Sequence, residues 1–421
     1  MYIFSGIISI LVLLAIAYLF SENRKAISFR TIFTALGVQI LLILFVLRVP
    51  VGRYILESVA NVVVKVLSFG NEGLAFVFGD LVTNNFIFAF NVLALIAFTS
   101  ALISVLYYLR VIPFLVKYLG KAIAWILDTT EVETFCSVGN SFLGTTEAPL
   151  LTRPFLPDLT RSELFAVVAG GFSSVSVSVI GGYVLMGIDM KYLLIAMATV
   201  PFATLLISKI IIPETEVSRT NNIEIEGSES SNLFEAISDG AIQGLQLAFN
   251  VAAVLIAFLG LIALLNYILA FVGLSFSSIL GFIFTPLAWL FGIPKGEIGP
   301  FATLIGTKIA MNEFVAFTEL GTLLHTLSPR TQAVLSVALC NFANFSSIGI
   351  AVAGFKSFCP SRSPEVSGFG LKALLAGTLT TLITAAIVGM LFQILMLQSK
   401  RSIAKWQYSF CYSFAIILLA L

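Results

Sequence analysis

The 421-residue sequence predicts an all-α polytopic membrane protein with about eight transmembrane helices, two re-entrant hairpins and an interfacial helix, arranged as an inverted repeat. Three observations predict it. The chain is 59% hydrophobic and 11% charged, whereas soluble domains carry about 25% charged residues; it cannot cover a soluble surface. Apolar stretches long enough to span a bilayer recur along it. Two polar, acid-bearing segments, Gly144–Leu150 and Gly306–Phe314, interrupt them, and each is followed by the same pattern, Phe172-Ser173-Ser174-Val175 and Phe345-Ser346-Ser347-Ile348.

Composition also excludes. A formal net charge of +1 argues against nucleic acid as a partner. Cys136, Cys340, Cys359 and Cys411 are scattered without a CxxC, so neither a zinc site nor a disulfide framework is indicated. The single histidine, His325, sits in a polar turn before Ser328-Pro329-Arg330 and reads as a solvated residue; one histidine leaves little room for a His-based metal centre or triad. No organic cofactor is indicated.

Residues 1–84 read as N-terminal spans plus the interfacial helix, a scaffold unit. Residues 1–20 are apolar and span; a signal peptide is the rival, but there is no basic leading region or small-residue cleavage site. The loop Ser21–Arg30 carries Arg24, Lys25 and Arg30, and residues 31–48 span back. Basic short loops stay cytoplasmic, which places the N-terminus outside a cell (inner) membrane that the chain crosses many times. Across residues 50–69, Arg53, Glu57, Asn61 and Lys65 recur every four positions, a polar stripe suited to a helix lying at the interface.

The first inverted repeat covers 85–213. Residues 85–109 span, and 111–128 are moderately apolar with Lys117 and Lys121. Residues 134–156, punctuated by Gly139, Gly144, Pro149 and Pro154, are too broken to span and suit a hairpin, tolerated at that depth only where it is buried in protein or lines a wet cavity. Residues 163–187 span with Ser173, Ser174, Ser176 and Ser178 at the centre, and 190–212 span back. An acidic linker, 214–244, separates the halves. The second repeat, 245–395, has a span at 245–269, an apolar stretch at 270–294, a second broken segment at 299–320 with Lys308 and Glu313, a span at 331–355 interrupted by Asn341-Phe342-Ala343-Asn344-Phe345-Ser346-Ser347, and a span at 368–395 whose Gly368, Gly370 and Gly377 permit close helix contact. Corresponding broken segments in two halves are the sequence mark of a transporter's site. Residues 396–421 form a tail whose Lys400, Arg401 and Lys405 fall on the outer side, against the positive-inside rule, and whose apolar end, Tyr408–Leu421, is short for a span.

A carboxylate at membrane depth costs about 2.5–3.5 kcal/mol even on lenient scales, so Glu147 and Glu313 are functional candidates; local pairing with Arg153 or Lys308 is the plain alternative. Asn344 and Ser347 are three apart and Ser174 and Ser178 four apart, spacings that share a helix face. For any one serine, bonding within its own helix or to a neighbour explains it as well. Carbonyls freed at an opened helix, with Asn and Ser oxygens, suit a hard cation such as sodium. Many acceptors with few fixed positive charges suit a neutral, hydroxyl-rich solute such as a ribose, not a phosphate or carboxylate. Phe142, Phe172, Phe342 and Phe345 offer apolar faces for a ring.

At these residues the chain resembles the concentrative nucleoside transporter family, bacterial type. The motifs are Gly144-Thr145-Thr146-Glu147-Ala148-Pro149-Leu150, Gly170-Gly171-Phe172-Ser173-Ser174, Asn312-Glu313-Phe314 and Phe342-Ala343-Asn344-Phe345-Ser346-Ser347, in the family's order up to about residue 395. The resemblance implies a homotrimeric symporter, not an enzyme, importing nucleosides with sodium or protons by moving a transport domain against a trimeric scaffold. It implies that Thr145, Thr146, Glu147 and Val179 lie near the base, that Glu313, Asn344 and Ser347 hold the ribose with Phe342 close by, and that Asn140, Ser174 and the carbonyls of Leu143 and Val175 hold sodium. Thr145 departs from the glutamine of many members, a longer side chain that offers a base edge both a donor and an acceptor. The rivals are a passive channel, or a symporter for another small neutral solute such as a nucleobase. A hydrolase using Glu147 and Glu313 would lack an evident nucleophile.

Overall fold

Many of the helices open an apolar run on a capping side chain, as at Ser28 and Asp189, or on a proline, as at Pro50 and Pro329. In the computed structural model, which describes residues 2–83, 87, 89–145, 147–219 and 230–420, the helices are α1 (Tyr2–Leu19), α2 (Phe29–Arg48), α3 (Pro50–Phe78), the single turn α4 (Asp80–Thr83), α5 (Leu95–Tyr108) and α6 (Val111–Leu127). They continue as α7 (Glu131–Gly139), α8 (Arg161–Ser173), α9 (Val177–Leu185), α10 (Met190–Ile211) and α11 (Leu233–Ala270). The last are α12 (Phe276–Leu290), α13 (Ile298–Ala310), α14 (Glu313–Leu323), α15 (Pro329–Ala338), α16 (Phe345–Phe358) and α17 (Ser363–Ala420). Among the described residues there is no strand, and seven segments are long and apolar enough to cross a membrane.

Four stretches read as broken are broken. α7 ends at Gly139 and a 3-10 run, Ala148–Asp158, packs back along it. The Cys136 thiol lies 3.0 Å from the Thr152 hydroxyl between these two arms. α8 and α9 are separated by residues 174–176, α13 and α14 by 311–312, and α15 and α16 by 339–344. Each restart has a cap: Ser176 accepts from the Ser178 amide, Asn312 from Val315 and Asn344 from Ser347. α7 and α8 open with reciprocal Thr130/Glu133 and Thr160/Glu163 capping boxes.

α8, α10 and α17 form the buried centre, with α1 and α2 packed against α17 and α10. α17 braces both central breaks: Ser173 donates to the Thr380 hydroxyl at 3.2 Å and Asn341 Nδ2 donates to the Gly377 carbonyl at 2.6 Å. Elsewhere α5 packs against α11. A Cβ on Gly244 would meet the Ile96 carbonyl at 2.6 Å and Ala97 Cα at 2.8 Å, so the small pair Gly240 and Gly244 lets the two backbones touch.

The structure changes four readings. The interfacial stretch is one longer helix, Pro50–Phe78, with Leu56, Ala60, Leu67 and Leu74 buried on one face. The linker turns helical at Leu233, because Asn232 caps the Glu235 amide while the Ser231 amide donates to the Glu235 carboxylate. α17 runs through residue 395 to Ala420 without a break. Ser174 and Ser178 do not share a helix face, since the break at 174–176 intervenes.

Candidate substrate and cation site

Glu313, the first residue of α14, is buried, and its two carboxylate oxygens are held from opposite halves of the chain. Asn344 Nδ2 donates to Oε2 at 3.2 Å, and the Tyr183 hydroxyl lies at the limit of hydrogen bonding, 3.5 Å from Oε1. Tyr183 stands on α9, its ring against Phe314 and Phe317 at 5.2 and 4.4 Å between centroids. Asn344 Oδ1 in turn accepts from the Ser347 amide (3.0 Å), the Ser347 hydroxyl (3.0 Å) and the Ser346 hydroxyl (2.6 Å). The Ser347 hydroxyl also reaches the Phe342 carbonyl, 2.5 Å away. Lys308 is buried one turn before the α13–α14 break, within electrostatic reach of Glu313. The cluster thus combines one carboxylate, a carboxamide and the hydroxyls of Tyr183, Ser346 and Ser347, with a single lysine set back from it.

The turn after α7 seats on the end of α8. The Thr145 hydroxyl donates to the Gly171 carbonyl at 3.1 Å, and a Cβ on Gly171 would press on Thr145 at 2.8 Å. A Cβ on Gly170 would collide with the Asn140 side-chain amide. Two glycines in succession are therefore what allow the turn to lie against the helix. The Val175 amide donates to the Asn140 carbonyl (3.3 Å) and the Val177 amide to the Phe142 carbonyl (3.1 Å), so the chain after the α8 break runs along the turn. Asn140 is fully buried, and neither atom of its carboxamide has a partner among the described residues. The Ser174 hydroxyl donates to the Gly171 carbonyl at 2.7 Å, which leaves its lone pairs open. Among the described residues no donor reaches the carbonyls of Leu143 or Val175. Glu147 is exposed, with Oε2 accepting from the Gly144 amide at 2.9 Å.

Sequence comparison bears directly on this arrangement. Residues 8–81 match the family described as Na+ dependent nucleoside transporter N-terminus, 89–190 that described as nucleoside recognition (Gate), and 192–389 that described as Na+ dependent nucleoside transporter C-terminus. The chain is 40% identical over 412 residues to nucleoside permease NupC of Helicobacter pylori, covering 92% of this chain and 98% of that one. The chain belongs to the concentrative nucleoside transporter family. Sodium/nucleoside cotransporter 1 of Rattus norvegicus is 36% identical over 418 residues, 92% of this chain and 63% of the relative. The solved structure of CNTnw in an inward-facing substrate-bound state superposes with a TM-score of 0.90 at 40% identity, covering 93% of this chain and 99% of that chain. Nucleoside transport across a membrane is the activity these relatives support.

Within this transporter the structure joins Glu313, Asn344 and Ser347 directly, with Phe342 supplying a carbonyl to them. Val179 is buried one helical turn before Tyr183 on α9. Asn140, Leu143, Ser174 and Val175 gather where the first turn meets the α8 break. Thr146 lies outside the described residues. Phe172 is buried against α17 rather than in the cluster, and Phe345 is half exposed.

Two features were missed in sequence. Tyr183 was one, although its spacing from Val179 was the available signal. The other is a buried ion pair that anchors α7: Lys209 Nζ lies 2.7 Å from Glu133 Oε2 and 3.6 Å from Glu214, and donates to the Ser162 hydroxyl at 2.9 Å. Residues 133 and 209 are on different elements, and no local pattern couples them.

Proposed function

We propose that this transporter is a sodium-coupled nucleoside symporter, with a proton as the alternative ion, that imports its substrate by alternating access. The observation that carries the reading is the pairing of two sets of groups: a buried carboxylate with Asn344 and Tyr183 as partners drawn from both halves, and a buried, unpartnered Asn140 carboxamide at the neighbouring turn. Glu313, Asn344 and Ser347 accept from and donate to ribose hydroxyls, with Phe342 beside them. Thr145, Glu147 and Val179 face the base, and the resemblance extends that role to Thr146.

The donor set fits sodium. Asn140 Oδ1, the Ser174 hydroxyl and the Leu143 and Val175 carbonyls are all oxygens, and the carboxamide of Asn140 is already desolvated. A bound ion ties the turn after α7 to the α8 break, which fixes the position of Thr145 through the Gly171 contact. Nucleoside affinity therefore rises with sodium, and sodium affinity with nucleoside.

The two acid-bearing segments act as re-entrant hairpins of an inverted repeat within about eight spans, with the N-terminus outside. The stationary scaffold is built on the α5–α11 pair and joins as a homotrimer. Residues 1–84 were assigned to the scaffold from sequence; the packing of α1 and α2 on α10 and α17 supports placing those two helices with the moving body instead.

Calorimetric titration of the purified protein with uridine and adenosine, at several sodium concentrations and pH values, tests the coupling. Affinity that climbs with sodium supports it. Affinity independent of both sodium and pH refutes it.

A further inference from the structure

Of the ten buried side-chain polar atoms without a hydrogen-bond partner among the described residues, five belong to only four residues: Ser137 Oγ, Asn140 Oδ1 and Nδ2, Ser141 Oγ and Thr204 Oγ1. All four residues are at least nine-tenths buried. Buried polar groups are normally satisfied, so such a concentration calls for an occupant. Three of the residues lie at or beside the end of α7: Ser137 in its last turn, and Asn140 and Ser141 just past Gly139. Thr204 comes from α10, which packs on both α7 and α8.

Gly170 locates the group. A Cβ built there would strike Asn140 Nδ2 and lie 3.8 Å from Thr204 Cγ2, so the carboxamide and the threonine flank one point on α8. Thr204 is also unlike its neighbours. On the same helix, Thr199 donates to the Ile195 and Ala196 carbonyls and Ser208 to the Leu205 carbonyl. On α17, Thr380 donates to Ala376 and Thr384 to Thr380. A helical threonine ordinarily bonds back in this way. Thr204 does not.

We propose that Thr204 is a further residue of the cation site, a positioning residue that holds the Asn140 carboxamide. Its hydroxyl accepts from Asn140 Nδ2 through one buried water shared with Ser137. Of the carboxamide's two ends, only Oδ1 is useful to a cation, and the nitrogen repels it. An acceptor on the nitrogen side fixes which end faces the ion. Outer partners of this kind orient a metal ligand, and their loss typically lowers metal affinity by about 10–100-fold. The inference rests on the sodium reading of Asn140 given above.

The test is thermal unfolding of the purified full-length protein in detergent as sodium is titrated at constant ionic strength against potassium, since an ion that binds the folded state raises the unfolding temperature. Thr204→Val removes the hydroxyl and keeps the shape. It is expected to raise the sodium concentration of half-maximal stabilisation about tenfold. Thr204→Ser keeps the wild-type midpoint, and uridine affinity at saturating sodium is unchanged in both. A T204V midpoint within about twofold of a wild type that responds to sodium overturns the role of Thr204 and leaves the sodium reading standing. A wild type with no sodium response overturns that reading and this inference with it. Should T204V not fold, S137A carries the same test: a raised midpoint supports the shared acceptor, and an unchanged one overturns it.

Discussion

Replacing Glu313 by glutamine separates the charge of this residue from its shape. Its carboxylate touches two partners, Asn344 Nδ2 at 3.2 Å and the Tyr183 hydroxyl at 3.5 Å. A glutamine satisfies both: its oxygen accepts from Asn344, and its NH2 donates to the tyrosine oxygen, because a phenol both donates and accepts. The fold is therefore expected to survive, with an unfolding temperature unchanged within error. Substrate binding is not spared. A hydrogen bond to a charged acceptor contributes about 1.5–3 kcal/mol and a neutral one about 0.5–1.5. The difference, about 1–1.5 kcal/mol, is roughly tenfold in affinity for each ribose hydroxyl that donates to the carboxylate. With two such hydroxyls the loss is about a hundredfold, enough to abolish uptake at low substrate concentration. The assay is uridine binding and uptake by Glu313→Gln, repeated with 3′-deoxyuridine. For the deoxy substrate the penalty shrinks, since one donor is already gone. Wild-type uridine uptake by a folded E313Q protein, or an equal penalty for both substrates, refutes the argument.

Three further outcomes follow from particular contacts. Lys209→Met leaves Glu133 buried without its cation, and breaking a buried pair costs about 3–5 kcal/mol; unfolding in detergent is expected to show a large loss that adding Glu133→Gln mostly restores. Thr145→Gln lengthens the side chain that bonds the Gly171 carbonyl and gives it both a donor and an acceptor for a base edge; competition uptake should show a changed purine/pyrimidine preference with sodium dependence little altered. Glu22 lies in the loop between α1 and α2, where hydrogen bonds from Arg161 and Lys372 lower its carboxyl from 4.5 to about 2. A depressed carboxyl stabilises the fold above its unfolded value, and that contribution fades as pH falls through the folded one. Glu22→Gln should thus be less stable than wild type above about pH 5, with the gap closing as pH approaches about 2.

What was legible in the sequence is what one helix or one turn determines by itself. Hydropathy marks α1, α2, α8 with α9, and α10, because burial in lipid requires an unbroken apolar run. Glycine, proline, Asn312 and Asn344 mark the breaks, because the first two interrupt a helix through their own backbone and the asparagines cap one through their own side chains. Asn344 and Ser347 were rightly paired, although the contact arises from a helix cap and not a shared face. The same spacing rule misplaced Ser174 and Ser178, since it presumes a continuous helix. Contacts between distant elements had no signature. Tyr183 meets Glu313 across 130 positions, Lys209 meets Glu133 across elements, and Arg161 joins Glu22 to Glu365 at 2.9 and 3.3 Å. The unpartnered state of Thr204 is likewise a property of packing, visible only once its neighbours are known to bond back.

The measurement that tests the central claim most directly is uptake of labelled uridine and adenosine into proteoliposomes under an imposed sodium gradient, with an imposed proton gradient as the parallel arm. The account predicts that sodium alone drives nucleoside above its outside concentration, and that Asn140→Ala loses this accumulation. Equilibration without accumulation under either gradient would mean a passive path and contradict it. Accumulation driven by protons alone would leave the nucleoside site in place and contradict the sodium assignment of Asn140, Leu143, Ser174 and Val175.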